Sequence, residues 1–243
     1  MRHLEVPLGS VMRAALLAGL AAGLAAAVFN FLLTEPIIDR AITLETLRHQ
    51  AQGTYEEPMV SRGAQQVGLF VGFLLLGLTW ALLVGAAYHL TQRWLPATST
   101  LRRGLLLAGL GYWAVALFPA LKYPANPPGV GDPDTIGYRQ ALYLGFLGLS
   151  VVGTVVAGLV TYRRDWRVGL AVLTVFSVVV FVAVPANPDP VSMPAYIVTP
   201  FRVLSVLGLS VFWVVMGVVF GLLLPSERAA RLSVPARVVR RAG

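Results

Sequence analysis

Cysteine is absent from this 243-residue chain, which removes disulfides, thiolate metal sites and cysteine nucleophiles together. Charge is nearly as scarce, since Asp, Glu, Lys and Arg make up 12% of the residues against 57% hydrophobic ones. With a mean hydropathy of +0.74, that balance lies outside the range of soluble globular domains and reads as an integral membrane protein. Catalytic signatures are missing too. There is no HExxH, GxSxG or Walker A sequence, and no pair of acids deep in an apolar stretch. An ATP-driven pump is therefore excluded for this chain alone, and no enzyme is expected. The formal net charge of +8 does not point to nucleic acid, because the cations fall in short gaps between apolar runs rather than along a solvated polar face.

What is abundant is apolar sequence in runs of about 20 residues, the length that crosses a bilayer as a helix. Six such runs fall near 12–33, 66–90, 104–121, 140–161, 168–184 and 201–224. The first could be a cleaved signal peptide, but its apolar stretch is too long for a signal core, so a retained helix is preferred. The linking segments 91–103 and 162–167 and the tail 226–243 are rich in arginine, whereas most acids lie in 34–65, 122–139 and 185–200. The positive-inside rule then places both termini in the cytoplasm, and the basic tail reads as a topology anchor on anionic lipid. The expected architecture is all-α: one transmembrane domain over 1–225, built of six helices in three hairpins, followed by the tail.

The second and third hairpins echo each other. Pro124-Ala125-Asn126-Pro127 matches Pro185-Ala186-Asn187-Pro188, and Arg139 and Arg202 open the descending helices as Arg62 does in the first hairpin. The polar, proline-rich stretch from Lys122 to Arg139 reads in two ways. Proline lacks a backbone donor and bars helix from the residue before it, so the stretch is in part a rigid connector, with Asp134-Thr135 as a helix N-cap. Its charges can also pair, or offer carboxylates to a cation. Arg62, Lys122, Asn126, Arg139 and Arg202 are the expected structural clamps that close these loops.

The stretch FPALKYPANPPGVGDPDTIGYRQALY resembles the signature region of the CbtA family, predicted cobalt transporter subunits of bacteria and archaea. Glu35-Pro36 after the first helix, SRGAQQVGL at 61–69, and FRVLSVLG and VFGLL in the last helix agree with it. The resemblance implies a membrane permease or core subunit for cobalt uptake linked to cobalamin synthesis. It implies Co2+ as cargo, no prosthetic group, and a small CbtB-type partner subunit.

Divalent cobalt takes imidazole and carboxylate ligands. Among three histidines, His3 reads as a solvated residue of the N-terminal tail and His89 as an interfacial structural residue. In the first outer loop Glu45 and His49 stand four apart, a spacing that puts both on one helix face, with Glu35, Asp39, Glu56 and Glu57 nearby. Family members often carry a histidine-rich stretch there; this chain has His49 alone. Glu35, Glu45, His49, Asp132 and Asp134 are the expected metal contacts. The spans hold only neutral polar residues toward their middles, such as Asn30, Thr79, Ser150, Thr154 and Ser210, which argues against ordinary proton-coupled exchange. Gly19 and Gly23, Gly68 and Gly72, and Gly217 and Gly221 supply small-residue packing seams. The competing function is a non-transporting scaffold or metal-delivery subunit that works only with a partner; a homo-oligomer is also compatible.

Overall fold

The computed structural model describes residues 6–54, 59–95 and 99–225. His3, Glu56, Glu57 and the tail 226–243 lie outside the described residues. Every regular element within them is helical, and six helices are long and apolar enough to cross a bilayer: α1 Leu8–Gln52, α2 Arg62–Thr91, α3 Thr100–Lys122, α4 Pro133–Arg163, α5 Trp166–Ala183 and α6 Ala195–Leu223. In lipid a helix is the open-chain form that satisfies its own backbone, so apolar length alone selects it.

The first helix departs most from the expected boundaries. It does not end near residue 33 but continues as helix to Gln52, through the stretch expected to be mainly loop. The join is a π turn, Asn30–Thr34, in which the Glu35 amide donates to the Asn30 carbonyl. Pro36 follows at once, and a second π turn, Trp113–Leu117, is followed in the same way by Pro119. A proline ring inside a helix collides with the carbonyl four residues back. A wider turn just before it removes that collision, so both helices pass through their prolines unbroken. Gly53 then ends α1 in the left-handed conformation (φ 67°), its amide donating to Gln50.

At the start of α4 the cap is Asp132 rather than Asp134-Thr135. Its Oδ1 accepts from the Asp134 amide at 2.9 Å, and Pro133 occupies the first helical position, which needs no donor. Asp165 caps α5 similarly, accepting from the Arg167 amide at 2.7 Å.

The chain divides into two compact units. One comprises the described parts of Met1–Ala25, Phe70–Gly109 and Phe212–Gly243. It is held by close backbone approach. A Cβ on Gly19 would fall on the Gly77 carbonyl oxygen, and one on Gly77 would fall on that of Gly19. Gly104 lies as tightly on the last helix, where a Cβ would stand 2.6 Å from the Gly217 carbonyl oxygen and 2.8 Å from Gly221 Cα. Trp80 and Trp213 (centroids 5.2 Å apart) and Tyr88 edge-on to Phe220 (5.3 Å) fill the space beside these seams. The Gly68 and Gly72 pair makes no such seam, since a Cβ on either meets nothing within 4 Å.

The other unit, Ala26–Leu69 and Leu110–Val211, contains α4 and α5 entire and every helix connection described below. Phe118, Phe146 and Val180 form one buried cluster, flanked by Trp113, Tyr123, Phe176 and Val184. Ala41, Met193, Ile197 and Val198 form a second, flanked by Ile37, Leu44 and Val130. The extension of α1 beyond its π turn is thereby held against the connection into α6.

Candidate functional site

Most of the charged side chains of this second unit gather at the helix connections, where arginines organise them. Glu35 and Asp39 lie four apart on α1 and so share a face. Arg62, first residue of α2, donates from Nη2 to Glu35 Oε2 (2.5 Å) and Asp39 Oδ1 (2.6 Å), and from Nη1 to Gln65 Oε1 (2.6 Å). The Glu35 side chain is only 8% exposed, so this pair sits where charge must be matched.

The two echoing connections are joined crosswise. Arg139 of α4 reaches into the connection before α6, its Nε 3.1 Å from Asp189 Oδ2 without the alignment of a hydrogen bond. Its Nη2 donates to the Asp132 carbonyl at 3.0 Å. Arg202 of α6 reaches back to the connection before α4, donating from Nη2 (2.7 Å) and Nε (3.2 Å) to Asn126 Oδ1. Each arginine thus reaches the other connection, Arg202 onto Asn126 of one Pro-Ala-Asn-Pro segment and Arg139 onto Asp189, the residue that follows the other.

Asp189 is the most constrained acid of the set, with a side chain 5% exposed. Its Oδ2 also accepts from the Asp132 amide (2.9 Å) and the Thr135 hydroxyl (2.7 Å). The backbone donor first, then the Thr135 hydroxyl and the Arg139 charge, hold its carboxyl below the usual aspartate range, outweighing the opposing effect of burial. Gly131 makes room for this arrangement: its φ of +103° favours glycine, and a Cβ there would strike the Arg139 guanidinium.

Lys122 serves a local purpose, donating to the Phe181 carbonyl at 2.8 Å while its Nζ lies 4.9 Å from the centre of the Phe181 ring. That carbonyl belongs to the last turn of α5, where helix acceptors lack helical donors. Tyr123 similarly donates to the Pro185 carbonyl at 2.5 Å. Burial, with Tyr138 a lesser influence, pushes its phenol up and keeps it protonated as that donor.

The five expected metal contacts do not converge. Among the described residues no three His, Cys, Asp or Glu side chains come together as a metal-holding group. Glu35 is engaged by Arg62. Asp132 and Asp134 are exposed at the cap of α4. Glu45 and His49 remain as a pair on the extension of α1, Nε2 to Oε1 4.0 Å, with side chains 36% and 48% exposed. His49 Nδ1 lies 3.1 Å from the Thr54 hydroxyl. The Glu45 carboxyl lies over Gly129, where a Cβ would come within 2.9 Å of its Cδ.

Two participants were not among the expected site residues: Asp39, named from the sequence only as an acid near Glu45 and His49, and Asp189, whose signal was its place directly after the repeated Pro-Ala-Asn-Pro. Between the echoing segments lies a cavity of about 280 Å³ lined by both repeated asparagines, Asn126 and Asn187, with Tyr123, Tyr143, Val130 and Arg139 among its walls.

Six bilayer-length helices define a multi-pass membrane protein. The family model described as "probable cobalt transporter subunit (CbtA)" matches residues 9–225, nearly the whole chain, and the protein belongs to that family. The family is one of transporter subunits, not of enzymes. No curated protein and no solved structure matches the chain.

Proposed function

We propose that the protein is the permease subunit of a cobalt uptake system, with both termini cytoplasmic, the helices paired as three hairpins, and the acid-bearing connections closed by Arg62, Arg139 and Arg202 facing outward. The observation that carries the reading is the unequal fate of the acids. Glu35 and Asp39 are bound to Arg62, and Asp189 to Arg139, so these carboxylates hold loops. Glu45 and His49 form a half-exposed pair engaged by no arginine among the described residues. A proton on Nδ1 directed to Thr54 leaves Nε2 as the ligand atom, the usual way a hydrogen bond selects the metal-binding nitrogen. Nε2 and the Glu45 carboxylate, 4.0 Å apart, would supply the imidazole and carboxylate ligands that a divalent cobalt ion takes. Asp132 and Asp134, exposed at the start of α4, raise the local concentration of divalent cations.

A second reading has its own support. Thr79, Thr154, Thr174 and Ser205 each donate back to the carbonyl four residues earlier in their own helix, which spends their donors inside the helix. That favours a delivery or scaffold subunit whose path is completed by a small CbtB-type partner or by further copies of the chain.

The test is uptake of radioactive cobalt into liposomes holding the purified chain, with zinc and nickel as competitors, alone and with the small subunit. Saturable uptake by the chain alone, reduced about tenfold by Glu45→Gln combined with His49→Ala, is the expected result, since it removes both ligands. Uptake only with the small subunit overturns the permease in favour of the second reading.

A further inference from the structure

The cavity between the echoing connections carries an inference independent of cobalt. Each asparagine that lines it has its acceptor committed elsewhere. Asn126 Oδ1 takes both hydrogen bonds from Arg202, and Asn187 Oδ1 takes the Asp189 amide at 3.0 Å. Guanidinium and amide groups only donate, so these contacts fix which side-chain atom is oxygen and leave Nδ2 as the group still free to bond. Neither Nδ2 has a partner among the described residues, and the same holds for the Tyr143 hydroxyl. The other polar side chains of the wall are the Arg139 guanidinium and Tyr123, whose hydroxyl is spent on the Pro185 carbonyl. No carboxylate lines the cavity: Asp189 balances the charge of Arg139 from behind, turned toward the Asp132 amide and Thr135.

A hollow lined by a guanidinium, two asparagines with uncommitted amide nitrogens and no carboxylate is unsuited to a bare cation and suited to an oxyanion. From this geometry we propose that the cavity binds a phosphate group, donated to by Asn126 Nδ2, Asn187 Nδ2, the Tyr143 hydroxyl and Arg139. At about 280 Å³ it falls at the small end of ligand sites, which fits a phosphate with a short substituent rather than a large organic molecule. Its place at the ends of the spanning helices admits two sources of that chemistry, a lipid headgroup and free phosphate.

Aspartate replacements isolate the claim. Asn126→Asp and Asn187→Asp keep the oxygen that Arg202 and the Asp189 amide use, while turning the free donor into a second, repelling oxygen. The full chain, purified in uncharged detergent and stripped of lipid, is titrated with inorganic phosphate by calorimetry, and with short-chain phosphatidylglycerol by native mass spectrometry against a diacylglycerol control. One saturable site per chain for either probe is expected, weakened about tenfold or more by each aspartate variant, and less by Tyr143→Phe, with the melting temperature retained. Binding of phosphatidylglycerol alone assigns the site to lipid, of phosphate alone to a soluble anion, and of both to the shared group. Absence of saturable binding by the wild type overturns the proposal. So does unchanged affinity in the folded variants, and Asn187→Asp and Tyr143→Phe, at exposed positions, keep that comparison available should Asn126→Asp fail to fold.

Discussion

The glycine seams of one compact unit and the helix connections of the other are held by opposite means. In the unit containing Gly19, Gly77 and Gly104, helices meet where side chains are missing, so contact runs from backbone to backbone. At the helix connections of the other unit, the joins are made by long side chains, arginines reaching Glu35, Asp189 and Asn126. The difference follows from the surroundings. Inside lipid, apolar side chains gain little by leaving acyl chains for each other, so close packing of small residues is the main source of attraction. Where the chain returns to water, charge becomes affordable and direction matters more than area. A backbone seam tolerates no added atom, whereas a guanidinium link can lose a member and leave a solvated gap.

The sharpest way to break the comparison is Gly77→Val. Two methyl groups would be driven into the Gly19 carbonyl with only backbone to yield, and a cost of about 3 kcal/mol or more is expected. Loss of monodisperse folded protein in detergent, or a steep fall in melting temperature, is the readout. Arg62→Ala comes next. It strands the nearly buried Glu35, and since hydrogen bonds to charged groups are worth about 1.5–3 kcal/mol, a loss near 2 kcal/mol is expected by thermal unfolding. Replacing Glu35 by Gln in the same chain should recover part of it.

Acid sharpens the contrast further. Asp189 has a folded-state pKa below its unfolded one, so its stabilising effect is complete above about pH 4, near the ordinary aspartate value, and fades as pH falls through the folded value. A melting curve that steepens only below about pH 4, and flattens in Asp189→Asn, is expected. The smallest effect belongs to Gly72→Ala. A Cβ there meets nothing within 4 Å, so stability should hold or rise by up to about 1 kcal/mol through helix propensity. A marked loss would mean that this face is covered in the membrane, by another copy or by a partner.

The spans were legible because hydropathy and length act locally, and lipid leaves few alternatives to a helix. The extension of α1 was less so. Pro36 argues for a break when read in sequence, and the π turn that accommodates it has no side-chain signature beyond the proline itself. Arg62 opens its helix as the sequence suggests, whereas Arg139 and Arg202 stand about two turns inside α4 and α6, which begin earlier, at Pro133 and Ala195. Their partners were harder to read, because Arg139 and Arg202 cross to each other's connection, and sequence order suggests that each serves its own. Gly68 and Gly72 show the same limit: small-residue spacing marks a face that can pack closely, but only the fold decides whether another helix comes to it.

The π turn at Asn30–Thr34 also resets the phase of its helix. Each residue of a regular helix advances by about 100°, and a turn that closes one residue later leaves everything downstream rotated by that amount. A helical wheel drawn through the whole of Leu8–Gln52 therefore predicts the wrong face from Glu35 onward. Deleting one residue from it would restore an ordinary helix and swing Glu35 and Asp39 together by about 100° away from Arg62, undoing a salt bridge without touching any residue that makes it.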